Sequence, residues 1–225
     1  MLRYPRCVAK LTGSKLLAYD RRFGVRFVAG VDEAGRGALA GPLVVAAVLL
    51  DLDAIRGHRA RPLGLLNDSK QVNAATRDEL YRAVVACATR VSIRVIPPRV
   101  IDRDGLHRSN LRGLREALSA CRPADICLVD GFELGTEAPE HRRIVHGDTK
   151  SAAIAAASIV AKVTRDRYMH VADKSYPGYG FASHVGYITR QHVDAVKLNG
   201  PSAIQRMSYV VKGLGDPDAS ALSSA

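Results

Sequence analysis

Residues Phe27–Leu50 read F-V-A-G-V-D-E-A-G-R-G-A-L-A-G-P-L-V-V-A-A-V-L-L. Both ends are apolar and rich in β-branched residues. Between them stand Asp32 and Glu33, then glycines at 35, 37 and 41 and Pro42. The pattern predicts an antiparallel hairpin whose tip carries charge. Acids at the end of a buried strand are costly unless a cation meets them, and a divalent metal is the usual answer. Gly35 and Gly37 flank Arg36, so the backbone there can approach a ligand closely and present its N–H groups. Turn chemistry alone would also put Asp and Gly in a hairpin. A dinucleotide-binding turn is excluded: the glycines are spaced G-x-G-x-x-x-G, the following segment continues as strand, and two carboxylates would repel a pyrophosphate.

The chain outside this hairpin sets the limits. With 225 residues, 47% of them hydrophobic, it can bury a sizeable core. The 33 basic residues outnumber 22 acidic ones for a formal charge of +11, which favours a polyanionic partner. No run reaches the roughly 18 apolar residues of a membrane span, and the opening M-L-R-Y-P-R lacks the apolar core of a signal peptide. Cys7, Cys87, Cys121 and Cys127 show no CxxC pairing, and Cys87 and Cys127 lie in apolar runs. A reducing, cytoplasmic setting is expected.

Taken in order, Ser14–Arg22 suggests a short helix, and Asp51–Leu66 a polar loop. Asn67, Asp68 and Ser69 are cap residues ahead of a helix over Ala74–Ala88. Arg90–Ile96 alternates as a strand stopped by Pro97-Pro98. Residues 99–121 suggest helices interrupted near Gly105. Ile126–Val129 reads as a fully apolar strand ending in Asp130-Gly131, and Arg142–His146 as another short strand closed by Gly147-Asp148. The Ala- and Ser-rich run from Thr149 to about Lys174 predicts the longest helix, with small residues that let it lie close to a sheet. A loop follows at S-Y-P-G-Y-G-F-A-S-H-V-G-Y, then a helix over Thr189–Leu198 before Gly200-Pro201. The tail 213–225 has a disordered composition. The order predicts an α/β chain with a mixed sheet, one catalytic domain over 1–212 with a helical C-terminal part at about 175–212.

Two strand-end acid sites emerge, Asp32-Glu33 and Asp130, and strand ends are where sites gather in open α/β sheets. Asp148 is a third candidate, its alternative being a helix cap. Asp166 is excluded from that group. A continuous helix would carry it roughly 27 Å from Asp148 at ~1.5 Å per residue, and it stands four residues after Lys162, an ordinary helix pair. Glu133 and Glu137 read as a solvated loop face.

V-D-E-A-G-R-G followed by G-P, L-N-D-S-K, L-V-D-G, H-G-D-x-K-S-x-x-I-A-A-A-S-I-V-A-K-V-x-R-D and Y-G-F-A-S-H-x-G-Y, in this order and spacing, resemble bacterial ribonuclease HII. The resemblance runs from about Leu16 to Tyr209. It implies an RNase H-like fold, a mixed central sheet flanked by helices. The activity implied is endonucleolytic cleavage of RNA in RNA–DNA hybrids and 5′ of single ribonucleotides embedded in duplex DNA. Carried over, the catalytic and metal-binding acids are Asp32, Glu33, Asp130 and Asp148. The G-R-G motif falls on Gly35, Arg36 and Gly37, the ribose-sensing tyrosine on Tyr187, and candidate phosphate contacts on Lys70 and Lys150. Two departures stand out: Val185 where the family commonly has Lys, and Gln205, Arg206, Met207, Ser208, Tyr209 where it has H-R-x-S-F.

Hydrolysing a phosphodiester needs an activated water, a stabilised pentacovalent phosphorus and a protected leaving oxygen. Two divalent ions roughly 3.5–4 Å apart supply all three. Four carboxylates suit Mg²⁺ or Mn²⁺, not zinc. Asp32 is the expected bridging ligand, with 5′-phosphate and 3′-hydroxyl products. RNA is told from DNA at the 2′-hydroxyl, read by backbone amides and carbonyls at Gly35–Gly37 and by Tyr187. The aromatic residues Tyr168, Tyr176, Tyr179 and Phe181 interleave with Arg165, Arg167, Lys174, His184 and Arg190 near Tyr187, which suggests a nucleic-acid surface, some of them serving as core. His141, His146, His184 and His192 lack metal-ligand spacing. The chain is expected to be a monomer. A non-catalytic nucleic-acid binder would not need the acids, and a DNA-only nuclease would have no use for sugar sensing.

Overall fold

The computed structural model describes residues 12–66 and 73–209; Lys70, the cap candidates 67–69, Cys7 and the tail lie outside them. Five strands form one mixed sheet in the order β3-β2-β1-β4-β5: β1 (Phe27–Ala34), β2 (Leu43–Asp51), β3 (Arg90–Ile96), β4 (Ile126–Asp130) and β5 (Arg142–Ile144). β1–β2 and β2–β3 are antiparallel, while β1–β4 and β4–β5 are parallel. The hairpin is present, but its acids are not at the tip. Asp32 and Glu33 are paired strand residues opposite Ala46 and Val45.

β2 is apolar and buried at every position because both faces of the sheet are covered. Val44, Ala46, Val48 and Leu50 point to one side and meet α1 (Thr12–Arg21), α2 (Ala74–Cys87) and the long α5 (Ala152–Ser175). Leu43, Val45, Ala47 and Leu49 point to the other and meet α3 (Pro98–Asp104) and α4 (Leu106–Ser119). Each fully buried Val or Leu here contributes about 1.5–3 kcal/mol of transfer free energy.

α5 is the central helix, buried along most of its first half. Its alanines allow backbone contact with the sheet. A Cβ on Gly30 of β1 would lie 2.2 Å from the Ala153 carbonyl carbon, so any side chain there would force helix and strand apart. Buried Asp20 of α1 accepts the Ala153 N–H at 2.9 Å beneath the helix start. α5 begins later than the sequence predicts. Ser151 is its cap, accepting from the Ile154 N–H at 3.3 Å, and residues 147–149 form a separate 3₁₀ turn. Asp148 therefore does not cap the long helix.

Asp51–Leu66 is less polar than expected. It contains a 3₁₀ turn over Gly57–Leu63 and buries Leu52, Ile55, Leu63 and Leu66. A 3₁₀ piece follows neither the 3.6 nor the 2 period, so alternation could not reveal it. For α2 the cap is Asn73, whose Oδ1 accepts the Thr76 N–H at 2.9 Å. After α5 come α6 (Phe181–His184) and α7 (Arg190–Asn199), capped by Thr189.

Candidate active site

The parallel pair β1–β4 explains why two distant acids meet. Val31↔Val129 is its last paired rung, so Asp32 and Asp130 follow side by side. Side chains alternate along a strand, and both acids share the face of Gly30 and Leu128, the face under α5. Asp32 is buried. Its Oδ1 accepts the Glu33 N–H at 2.7 Å, and Ser158 of α5 hydrogen-bonds the same carboxyl. Burial first, then the charges of Glu33 and Asp130, hold its pKa well above the ordinary carboxylate range.

Asp130 reaches past β5. Its Oδ1 accepts the Gly147 N–H at 2.7 Å, which fixes the turn carrying Asp148. A Cβ on Gly147 would sit 2.5 Å from Ile154 Cδ1 and 3.2 Å from Asp130 Oδ1, so the turn can press this close only without one. Glu33, largely buried, lies 3.7 Å from Arg36 Nε. All four acids line one cleft of about 720 Å³ together with Gly35, Arg36, Gly37 and Tyr187. Among the described residues, no three His, Cys, Asp or Glu side chains are drawn together as a ready metal-binding group; the acids line the same cleft. A second hollow, of about 570 Å³ near Phe23, Asp125 and Arg142, opens at the other ends of β1 and β4.

The excluded acids stay outside the cleft lining. Asp166 bonds Lys162 at 2.8 Å. Glu133 lies 3.4 Å from His141, Glu137 lies 3.0 Å from Arg115, and both are exposed. Lys150 is exposed too; its Nζ donates to the Val145 carbonyl at 2.7 Å and is not part of the cleft lining. Ser158, Lys162, Arg143 and His146 line the cleft beside the acids; the sequence reading did not single out Ser158 or Arg143, took Lys162 only as the partner of Asp166, and took His146 as structural or substrate-facing. Ser158 and Lys162 left a signal: they are polar interruptions four apart on the stripe of α5 that faces β1.

The basic-aromatic set divides: Arg167, Tyr168, Lys174 and Arg190 are exposed, and the others are partly or fully core. Arg165 and Phe181 are fully buried, Tyr179 and His184 nearly so. Phe181 stacks on Tyr179 at 5.4 Å and meets His192 edge-on at 5.5 Å. Arg165 donates to the carbonyls of Pro42 (3.0 Å), Val185 (2.8 Å) and Ala40 (3.0 Å). It thus ties the loop after β1 to the loop carrying Tyr187. Its Nε lies 2.0 Å from where a Gly35 Cβ would stand, and Gly35 has φ +92°, so this glycine is required by packing as well as by the turn. Gly37 differs: an added Cβ would meet nothing within 4 Å.

Two bridges, Ala38↔Tyr187 and Ala40↔Gln205, stitch the same loop to the C-terminal part. Val185, at φ 43°, occupies the left-handed region that β-branched residues avoid, held by Arg165 on its carbonyl. The Tyr187 ring has Arg165 Cζ at 5.0 Å and Lys162 Nζ at 5.3 Å. Its carbonyl accepts from His192 Nδ1 at 3.0 Å, and His192 Nε2 meets Gln205 at 3.2 Å. Gln205, a departure from the family pattern, therefore still holds the histidine that holds Tyr187.

Known structures share this architecture. The ribonuclease H2 of Pyrococcus horikoshii OT3 superposes with a TM-score of 0.68 at 28% identity, over 81% of this chain and 93% of that one. The Bst-RNase HIII crystal structure in complex with Mn²⁺ gives 0.56 at 20% identity, over 88% and 68%, a likeness of fold. Fold and cleft together define a ribonuclease H, an endoribonuclease that hydrolyses RNA in RNA–DNA hybrids. A family model described as Ribonuclease HII matches residues 29–212. The ribonuclease HII of Parafrankia sp. (strain EAN1pec) is 46% identical over 203 residues, 87% of this chain and 81% of the relative. The chain belongs to the ribonuclease HII family. Among the described residues no helix is long and apolar enough to cross a membrane.

Proposed function

We propose that the chain cuts RNA–DNA hybrids and also cuts 5′ of single ribonucleotides embedded in duplex DNA, leaving 5′-phosphate and 3′-hydroxyl ends. Asp32, Glu33, Asp130 and Asp148 would hold divalent ions, Mg²⁺ or Mn²⁺. The donor set fits: four carboxylates lining one cleft are hard oxygen ligands, and a buried Asp32 crowded by two like charges is relieved by a cation. When bound, the ions activate water and stabilise charge on the phosphate and leaving oxygen. Asp130 fixes the turn that carries Asp148, and Ser158 orients Asp32 from α5.

Gly35–Gly37 and Tyr187, which line the same cleft, read the ribose; residues 175–212 are the substrate-binding part, and Lys70 and Lys150 contact phosphates. The enzyme acts as a cytoplasmic monomer in one catalytic domain. The observation that carries this reading is the adjacency of Asp32 and Asp130 at the end of the parallel pair, in the same cleft as Gly37 and Tyr187. The test is a duplex with one ribonucleotide beside an all-DNA control, with and without Mn²⁺ or Mg²⁺. Metal-dependent cutting at the ribonucleotide alone is expected. Cutting of the all-DNA duplex, or cutting without metal, would overturn it.

A further inference from the structure

The Arg36 carbonyl is held from behind by two donors. Arg206 Nη1 lies at 3.0 Å and the Tyr209 hydroxyl at 3.1 Å. A carbonyl oxygen has two lone pairs, and both are engaged. In a planar trans peptide the next N–H points opposite to the C=O, so the Gly37 N–H is turned away from these donors. Gly37 is exposed, lines the cleft and has open space on its Cβ side. Both donors are themselves fixed. Fully buried Arg206 also gives its Nε to the Gly41 carbonyl at 3.0 Å and its backbone N–H to Leu39 at 2.8 Å. Between them, the N–H groups of Met207 and Ser208 bond Asp102 of α3 at 3.0 Å each, and the Ser208 hydroxyl does so at 2.6 Å.

We propose that Arg206 and Tyr209 are positioning residues for sugar recognition: by saturating the Arg36 carbonyl they lock the Arg36–Gly37 peptide so that the Gly37 N–H faces the cleft as a donor to the ribose 2′-oxygen. The proposal rests on the ribonucleotide-cutting reading above and narrows it. The Arg36 carbonyl is removed from the groups that read the sugar, and a donor remains. It also gives a role to the Tyr209 hydroxyl, an atom that the phenylalanine of the family pattern lacks.

Arg206 is too deeply built in for a clean substitution, so Tyr209 carries the test. Affinity is measured by fluorescence anisotropy, without divalent ions so that nothing is cut, for a duplex with one ribonucleotide and for the same duplex in all-DNA form. Wild type, Tyr209→Phe and Tyr209→Leu are compared, with a thermal melt of each. Losing the second donor should cost about two- to tenfold of the ribonucleotide preference, the range of one neutral hydrogen bond. Phe should do no better than Leu, and all-DNA affinity should stay unchanged. A Phe variant that behaves as wild type while Leu falls would reduce Tyr209 to ring packing and overturn the lock. Equal losses on both duplexes would assign the donor to phosphate and overturn it too. If wild type prefers the ribonucleotide and both variants keep that preference, the lock alone fails. If wild type shows no preference, the functional reading fails and takes the lock with it.

Discussion

Asp32 and Asp130 stand on a wall of the cleft made of paired backbone, whereas Gly35–Gly37 and Tyr187 stand on a wall made of loop. On the first wall, ladder hydrogen bonds fix each acid and apolar residues fill the space beneath. On the second, the six backbone carbonyls of residues 39–42 and 185–186 lie outside the regular elements. Two buried guanidinium groups meet several of them. The guanidinium groups of Arg165 and Arg206 donate to carbonyls of the loops. Burial lowers the pKa of Arg165, and burial with the Arg165 charge lowers that of Arg206 to about 10. Arg206 stays charged at neutral pH. The lesson is that the acids proposed to do the chemistry stand on paired backbone, and the groups proposed to recognise the sugar stand on loops whose shape depends on two side chains.

The largest expected effect breaks the first wall. Asp130→Asn keeps the shape of the side chain but loses the charge proposed to hold metal. Cleavage of a one-ribonucleotide duplex should fall at least about a hundredfold, as for other lost electrostatic groups, with the melting temperature and duplex affinity largely kept. A variant that retains a tenth of the wild-type rate at saturating Mg²⁺ would remove Asp130 from the site.

The next breaks the second wall. Arg165→Met leaves three carbonyls without donors, and an unsatisfied buried polar group costs about 1–3 kcal/mol. A stability loss of about 3 kcal/mol or more is expected in urea unfolding. Arg165→Lys should not restore it, because an ammonium cannot span the fork-shaped set of acceptors. An unfolding midpoint within error of wild type would show that water replaces the guanidinium freely.

The two walls also differed in how far they could be read from the chain. Sheet strands, the hairpin, the helix pair broken at Gly105 and the strand ending in Asp130 were all legible, because apolar alternation and Gly/Pro punctuation are local signals. The partners of Asp130 in the cleft followed from strand-end logic and from family motifs. What could not be read is tertiary in origin. Arg165 looks like any charged residue of an amphipathic helix, and only the fold reveals that its tip meets carbonyls more than a hundred positions earlier in the chain. The cap at Ser151 was missed because Asp148 and Thr149 offer the same cap chemistry, and the Asp130–Gly147 bond that separates the turn from α5 is not local.

A smaller effect concerns the scaffold beneath α5. Burial raises the Asp20 pKa from 3.8 to about 6, against the lowering influence of its bonds to the helix start. A group whose folded pKa is raised favours the folded state at low pH, and that contribution is lost as pH rises through the folded value. Two pKa units correspond to about 3 kcal/mol as an order of magnitude. Urea unfolding between pH 4 and 7 should therefore show a downward contribution to stability that Asp20→Asn removes. An identical pH slope in the two proteins would place the ionised carboxylate comfortably in the fold.

The smallest expected effect sharpens the contrast on the loop wall itself. Tyr187→Phe removes one hydroxyl and keeps the ring that lies near Lys162 and Arg165. Tyr187→Ala removes both, including cation–π contacts worth about 0.5–1 kcal/mol each at exposed sites. The Ala variant therefore mixes recognition with stability, and the Phe variant isolates the hydroxyl. A lost neutral hydrogen bond is worth about 0.5–1.5 kcal/mol, so Phe should lower kcat/KM on a one-ribonucleotide duplex by up to about tenfold. Its melting temperature and its metal affinity by titration calorimetry should match wild type, because Tyr187 is not among the proposed ligands. Ala should lose more, and part of that loss should appear in the melt. Wild-type kcat/KM in the Ala variant would leave Tyr187 as packing between two cations, and the sugar would then be read by the Gly37 N–H alone.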